Sequence, residues 1–344
     1  MQHEPNLAAM LAHYAEAVGA EMKQALDAYD APRDYYDMMR YHLGWVNERF
    51  EPVDGARGKG LRAGLLLLIH ELLGGVQADA LPLAAAVELL HNFSLVHDDI
   101  EDGSMTRRHR ATVWSIWGVG LGINLGDGLF EVAHLARYRS PLKDTAPATF
   151  IDILRRFELT TLAICEGQHS DMSFESRAEV TIDEYLRMVE RKTAALISGA
   201  AWIGARAAGA PPDIVEAAGE FGRRLGLAFQ IQDDILGIWG DEAVTGKSAT
   251  SDIATRKKTL PVLLAMEHGR PEPRQRLRAL YAQADDATAE ILALLAESDA
   301  RERAQSYLQE HRAAAMVALQ QMQLTPAAGD LLRQVAALFI DRTA

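Results

Sequence analysis

The sequence predicts an all-α fold, about ten to twelve helices bundled into a single domain. Apolar residues recur at three and four positions through Leu81 to Val96, Ile151 to Ile164, Tyr185 to Ile203 and Ile214 to Ile231, the spacing that lines one helix face. Alanine and leucine, both strong helix formers, dominate these stretches. The alternating β-branched and aromatic pattern of strands is nearly absent.

The helices are separated in order by breaks that glycine and proline supply. Pro32 ends the N-terminal amphipathic run, and Pro52 to Gly60 interrupt the chain before a leucine-rich helix. Gly74 and Gly75 divide that helix from the next, which stops at Gly103. Further breaks fall at Pro141 to Pro147, Gly209 to Pro212, Gly240 to Thr250 and Pro271 to Pro273. No repeat of fixed period and no polar linker divides the chain, so one domain spanning residues 1–344 is expected. The segment from Gly240 to Lys258 is polar and reads either as a loop over a site or as a solvated connection.

Composition narrows the function. The chain has 344 residues, 49% hydrophobic and 24% charged, enough to bury a large core. A net charge of -13 argues against a nucleic-acid surface, which needs clustered lysine and arginine. The one cysteine, Cys165, excludes an intrachain disulfide and suits a reducing compartment, so the cytoplasm is expected. Met1 to Gly19 carries Glu4 and Glu16 and lacks the basic and apolar regions of a signal peptide. The longest uncharged segment, Ala111 to Gly126, is too short and too glycine-rich to span a bilayer, and no transmembrane segment is expected.

Two aspartate-rich runs carry the chemistry: Asp98, Asp99 and Asp102 in one, Asp233 and Asp234 in the other, each after an apolar helical stretch. Asp98 and Asp102, four apart, share a helix face. Like charges about 4 Å apart repel by roughly 4 kcal/mol at an effective dielectric near 20, so such clusters need cations. Oxygen-only donors favour Mg²⁺, which keeps waters and accepts phosphate oxygens as further ligands. Basic groups surround both runs. Lys59 and Arg62 lie upstream, His91 shares the face of Asp98, and Arg107 and Arg108 follow. Gln230 precedes Asp234 by one turn, Lys247 and Lys257 follow it, and Lys192 and Thr193 sit within a separate helical run. Arginine forks match phosphate oxygens, and a lysine on a glycine-flanked turn approaches as a point charge. The glycines from Gly118 to Gly126 fit neither nucleotide-loop pattern, and close helix packing explains them better. The first run fails as a calcium loop because Ile100 and His109 occupy ligand positions, and the histidines lack the context of a helical zinc site.

The order GKGLR, LLHNFSLVHDDIEDGSMTRRHRATVW, RKTAALISGAA, FQIQDDILGIWGD and TGKSATSDIATRKKTLPV resembles the trans-isoprenyl diphosphate synthases, the polyprenyl synthetase family, of the short-chain geranylgeranyl type. The resemblance spans residues 58 to 262. It implies an isoprenoid synthase bundle around a central cavity, a homodimer, and three Mg²⁺ ions held between two aspartate motifs. By the same resemblance, Asp98, Asp102 and Asp233 are direct metal ligands, with Asp99 and Asp234 supporting them. Lys59, Arg62, His91 and Arg108 take isopentenyl diphosphate; Arg107, Lys192, Lys247 and Lys257 take the allylic diphosphate. Thr193 and Gln230, with Lys192, face the reacting carbons.

Two departures from the family pattern stand out. Gly237 replaces a third aspartate of the second run, with Asp241 and Asp252 nearby, and Gly60 and Ala63 replace an arginine and a proline in the basic motif. Product length is expected to follow bulk just before the first aspartate, at Phe93 by resemblance or at Ser94 by the helical wheel. A farnesyl or longer-chain synthase stays open as an alternative, as do a terpene cyclase, a head-to-head synthase and a non-catalytic subunit of a heteromeric synthase. Against a cyclase stand Asp233 and Asp234 in place of an Asn, Ser, Glu triad, and the second basic site; against a non-catalytic subunit stand the intact Asp98, Asp99 and Asp102.

Overall fold

The computed structural model describes residues 6–29, 31–53, 58–240, 251–283 and 286–341, with Ser251 described in its backbone only. Among them lie sixteen helices, counting 182–207 as one, and a single two-stranded hairpin. The excess over ten to twelve includes three helices of five residues or fewer, Val113–Trp117, Leu142–Thr145 and Ser251–Ala254, too short to leave a periodic pattern. The described residues fall into two compact units, one running to Phe157 and including Ala200–Pro212, the other comprising Glu158–Gly199 and the residues from Asp213 on.

In the first unit, α4 (Gln77–Glu101) packs against α1 (Leu7–Asp27), α3 (Leu61–Leu72) and α6 (Val119–Arg137). Ala80, Leu83 to Val87, Leu89, Leu90 and Val96 are all buried, so α4 is apolar almost all round. It is also the one helix among the described residues long and apolar enough to cross a membrane, but 78% of that window is buried inside the protein. The uncharged segment from Ala111 to Gly126 instead forms α5 (Val113–Trp117) and the start of α6. Two of its glycines serve packing: a Cβ at Gly126 would lie 2.2 Å from His97 Nε2, and one at Gly122 would lie 2.9 Å from Ile100 Cδ1, whereas one at Gly118 or Gly120 would meet nothing within 4 Å, and Gly118 instead takes a positive φ of 87° between α5 and α6. The first aspartate run thus sits at the C-terminal end of a helix whose axis is fixed by close neighbours.

In the second unit, α10 (Pro212–Trp239) carries the second run near its C-terminal end. Thr181 starts α9 (182–207) with a reciprocal cap, accepting from Glu184 N at 3.2 Å while the Glu184 carboxylate accepts from Thr181 N at 2.9 Å. Inside α9 the turn Glu190–Ala194 is a π-helix. Helix α8 (Pro147–Ser176) lies beside it, and α12 (Leu260–His268) follows the short α11 (Ser251–Ala254).

Candidate active site

At the end of α4, Asp98 is half-buried, and Asp102, one turn later, is the exposed cap, its N–H donating to Asp98 O at 2.8 Å. Four residues apart, they share a face. Asp99 is rotated from them by about 100°, is only 3% exposed, and accepts from Arg107 Nε at 2.8 Å. Burial pushes its carboxyl up, and the Arg107 guanidinium opposes that rise. Asp99 therefore holds Arg107 in place rather than joining the outward pair.

Arg107 lies on a hairpin in which Thr106–Arg107 pairs with Arg110–Ala111. The two linking residues, Arg108 and His109, have φ values of 52 and 62°, the left-handed pair of a tight hairpin turn that asparagine and glycine usually occupy. Side chains with a Cβ pay roughly 1–2 kcal/mol per residue there, so the flanks must hold the turn. Arg110 does this by donating to Tyr41 O at 3.0 Å and Val46 O at 2.7 Å, its guanidinium 4.1 Å above the Tyr41 ring.

The turn aims Arg108 at a basic cluster in the same unit. Gly60, with φ of 58°, caps α3 in a conformation that costs glycine little, which accounts for glycine at that position. Lys59 beside it is exposed. In the first turn of α3, Arg62 Nη1 donates to His91 Nε2 at 3.3 Å. Burial, and then the Arg62 and Arg108 charges, hold the His91 imidazole well below its ordinary value, so the ring is neutral and Nε2 accepts. A Cβ at Gly58 would lie 2.8 Å from Arg108 Nη2, so glycine there makes room for the guanidinium. A cavity of about 50 Å³ beside it is bounded by Gly58, Gly60, Glu88, Asn92 and Arg108. Glu88 is 8% exposed and its Oε2 has no hydrogen-bond partner; burial raises its carboxyl while Arg62 and Arg108 oppose the rise. Nearby, His42 Nε2 is sealed and unpartnered, and burial with the Arg108 charge pushes its imidazole down to about 3.

The second unit holds its own cations. Lys192 and Thr193 sit on the π-turn of α9, a widened turn that recurs at functional positions. It widens against α8, where a Cβ at Gly167 would lie 2.2 Å from Lys192 N. One turn further along α8, Asp171 receives Lys192 Nζ at 2.5 Å and lies 3.9 Å from Lys257 Nζ. Burial raises the Asp171 carboxyl, but Lys257 and Lys192 outweigh it and hold the group below its ordinary value.

A chain of hydrogen bonds runs from the π-turn to the second aspartate run. Thr193 Oγ1 donates to Gln230 Oε1 at 3.0 Å, and Gln230 Nε2 donates to Asp234 Oδ1 at 3.1 Å. The other oxygen, Oδ2, accepts from the Tyr185 hydroxyl and from Leu260 N at 2.9 Å. Asp234 is 3% exposed, and burial pushes its carboxyl up to about 6 against those donors. It faces the interior, whereas Asp233 is half-buried.

The structure thus gathers Arg62, His91 and Arg108 in one unit, and Lys192, Thr193, Gln230, Asp234 and Lys257 in the other. Lys247 and Asp241 lie outside the described residues. Ser94 is half-buried and donates to His91 O at 2.9 Å, while Phe93 is buried and packs edge-on against His97 and Phe130, with centroids 5.0 and 5.1 Å away. Sequence reasoning missed Asp171, Gly167, Tyr185, Glu88 and His42. The spacing of Gly167 and Asp171, four apart on one face of a helix, was the available signal for the first two.

A helical fold bearing two aspartate runs, each attended by cations held in defined pairs, defines an enzyme built to handle phosphate esters. The polyprenyl synthetase family model matches residues 44–298, and the chain belongs to that family: it is a trans-prenyltransferase. It is 47% identical over 244 residues to a geranylgeranyl diphosphate synthase of Mycobacterium tuberculosis, covering 71% of this chain and 68% of that one. A farnesyl diphosphate synthase of Mycobacterium bovis is 44% identical over 251 residues, covering 72% and 67%. Among solved structures, a polyprenyl synthetase from Streptomyces coelicolor superposes with a TM-score of 0.88 at 34% identity, covering 97% of this chain and 100% of that one. The fold is the all-α isoprenoid synthase fold.

Proposed function

We propose that this enzyme elongates an allylic diphosphate with isopentenyl diphosphate by ionisation and head-to-tail 1'-4 condensation, giving geranylgeranyl diphosphate. The observation that carries this reading is the pairing of Arg62 with a neutral His91 beside Arg108, a basic site separate from both aspartate runs. A cyclase, which takes one diphosphate, has no use for it. The family match runs across both compact units and supports reading the chain as one catalytic domain. We further propose a homodimer.

Arg62 and Arg108, with Lys59 from the loop, bind the isopentenyl diphosphate oxygens. Arg107, Lys192 and Lys257 receive the allylic diphosphate and neutralise the charge that grows as its carbon–oxygen bond breaks. Asp171 pairs with Lys192 and lies beside Lys257, which orients the two lysines. Thr193 donates its hydroxyl hydrogen bond to Gln230 Oε1, which turns the hydroxyl lone pairs toward the allylic cation. The double bond of isopentenyl diphosphate attacks that cation, and a proton then leaves to the released diphosphate, so no protein nucleophile is required.

The donors fit magnesium. Asp98, Asp102 and Asp233 offer oxygen ligands, while Asp99 and Asp234 are engaged by protein donors and act as positioning residues. Among the described residues no three acidic, histidine or cysteine side chains converge as a closed metal cage. That suits an ion that takes one or two carboxylates and fills its shell with water and phosphate. Bound there, Mg²⁺ supplies Lewis-acid stabilisation of the leaving diphosphate. Incubation with Mg²⁺, isopentenyl diphosphate and five-, ten- or fifteen-carbon allylic diphosphates tests the reading by product size. Elongation to twenty carbons that stops on adding a chelator is expected; no elongated product from any primer refutes it.

A further inference from the structure

We propose that Glu88, sealed on α4 beside the arginines of the basic cluster, takes up a proton from solvent when a diphosphate binds there, and so sets how tightly isopentenyl diphosphate is held. The inference rests on the reading of Arg62, His91 and Arg108 as the site of that substrate. Glu88 is 8% exposed, and its Oε2 is closed off from solvent without a hydrogen-bond partner. Such an oxygen is costly to keep charged unless a donor or a cation reaches it. Asn92, one turn further along the same face, is 3% exposed and bounds the same cavity of about 50 Å³. Its Nδ2 donates to Glu88 O at 2.8 Å, which fixes the amide and leaves Oδ1 as an acceptor with no donor. Two such acceptors belong to one small cavity, and a proton on Glu88 gives them a donor.

Charge is what holds the proton off. Burial raises the Glu88 carboxyl, while Arg62 at the start of α3 and Arg108 on the hairpin turn both favour its ionised form. The rest of the wall is uncharged: α1 lines the cavity with apolar side chains and glycine alone, as do Leu43 and Trp45, and the exposed Lys59 is not part of it. His91, one turn from Glu88, and His42, at the end of α2 (Arg33–His42) and bonded to the Asn92 backbone, are neutral because burial and the arginines hold them down. When diphosphate oxygens engage Arg62 and Arg108, the pull of those charges on Glu88 is cancelled while its burial stays. The bound state then keeps a proton that the free enzyme has released, over a pH range above the ordinary carboxylate value of 4.5. Binding linked to proton uptake weakens as pH rises through that range. Once neutral, Glu88 also ceases to repel the phosphate oxygens.

Isothermal titration of the whole enzyme with isopentenyl diphosphate alone, in buffers of different ionisation enthalpy at pH 6, 7 and 8, counts the protons taken up on binding. His91 adds to that count in the same sense, so the difference from Glu88→Gln assigns the share of Glu88. The parent is expected to take up more protons than the variant, by at most one per site. The ratio of parent to variant dissociation constants is expected to grow with pH, at most about tenfold per unit. The KM for isopentenyl diphosphate should follow that ratio, with the KM for the allylic substrate unchanged. Melting curves confirm folding, and Glu88→Met, apolar and of similar volume, gives the same reading if the amide disturbs the packing. Equal proton uptake and parallel pH dependence in the parent and a folded variant overturn the inference. Affinity for isopentenyl diphosphate that survives Arg62→Ala overturns the reading of the basic cluster as well, which separates the two failures.

Discussion

The Tyr185 hydroxyl donates to Oδ2 of Asp234, joining α9 to the aspartate run of α10, and the same oxygen accepts from Leu260 N at the start of α12. Three helices therefore meet on one carboxylate. In sequence Asp234 reads as a support for the metal ligands, and in the structure its carboxylate joins these three helices. Tyr185→Phe leaves a buried acceptor one donor short, which costs about 1–3 kcal/mol. Urea unfolding of the variant checks this, and stability within 0.5 kcal/mol of the parent, roughly the noise of a surface substitution, contradicts it. Asp233→Ala, by contrast, should keep the fold and lose most elongation in saturating Mg²⁺, because Asp233 is not part of that joint.

Gly58→Ala separates binding from folding. The added methyl meets the far end of Arg108, which swings away at little cost to the fold. The expected result is a KM for isopentenyl diphosphate raised about tenfold, equivalent to roughly 1.4 kcal/mol, with the melting temperature and the KM for the allylic substrate unchanged. An unaltered isopentenyl diphosphate KM would show that Arg108 does not touch that substrate.

How far the sequence led depends on what each feature is made of. The helices were legible because burial imposes a period, and α4 and α10 show it through Leu83 to Val96 and Ala217 to Ile235. Asp98 and Asp102 were legible as a pair because four residues return to one face. The inward turn of Asp99 follows from the same geometry, but its partner Arg107 sits on a hairpin that no asparagine or glycine announces. The π-turn was invisible, since Glu190 to Ala194 carry no helix breaker and the glycine that admits its backbone, Gly167, lies on another helix. The joint at Asp234 depends on Tyr185 and Leu260, distant partners that periodicity cannot connect.

His42 gives the fold an acid limit. Its buried imidazole stays neutral down to about 3, whereas in the unfolded chain it takes a proton near 6.5. Between those values the unfolded state binds the extra proton, so stability falls as pH falls, and above pH 7 the residue contributes nothing to the slope. His42→Gln should flatten the dependence by up to about 1.4 kcal/mol per pH unit. Urea unfolding at pH 7, 6 and 5 measures it; parallel slopes for parent and variant would exclude His42 as the group.

Phe93 packs against Phe130, which in turn lies 4.2 Å from His134, so the aromatic wall begins on α4 and continues along α6. Phe93→Ala should lengthen the product by at least one five-carbon unit, read by chromatography of the dephosphorylated alcohols. If chain length is unchanged there but drops in Ser94→Phe, the stop lies beneath Asp98 instead.

The widened turn at Glu190–Ala194 makes residue number itself a determinant in α9. Deleting one residue would heal the turn into regular helix and satisfy local propensity better. The helix beyond it would keep its facing, with Leu196 and Ile197 still in the core, because the widened turn absorbs the residue removed; the change would fall on Lys192 and Thr193, which that turn carries. Substitutions in this helix can be absorbed one at a time, whereas the loss of one residue at this turn resets Lys192 and Thr193 while sparing both flanks, so the residue count here is set by the site and not by the core.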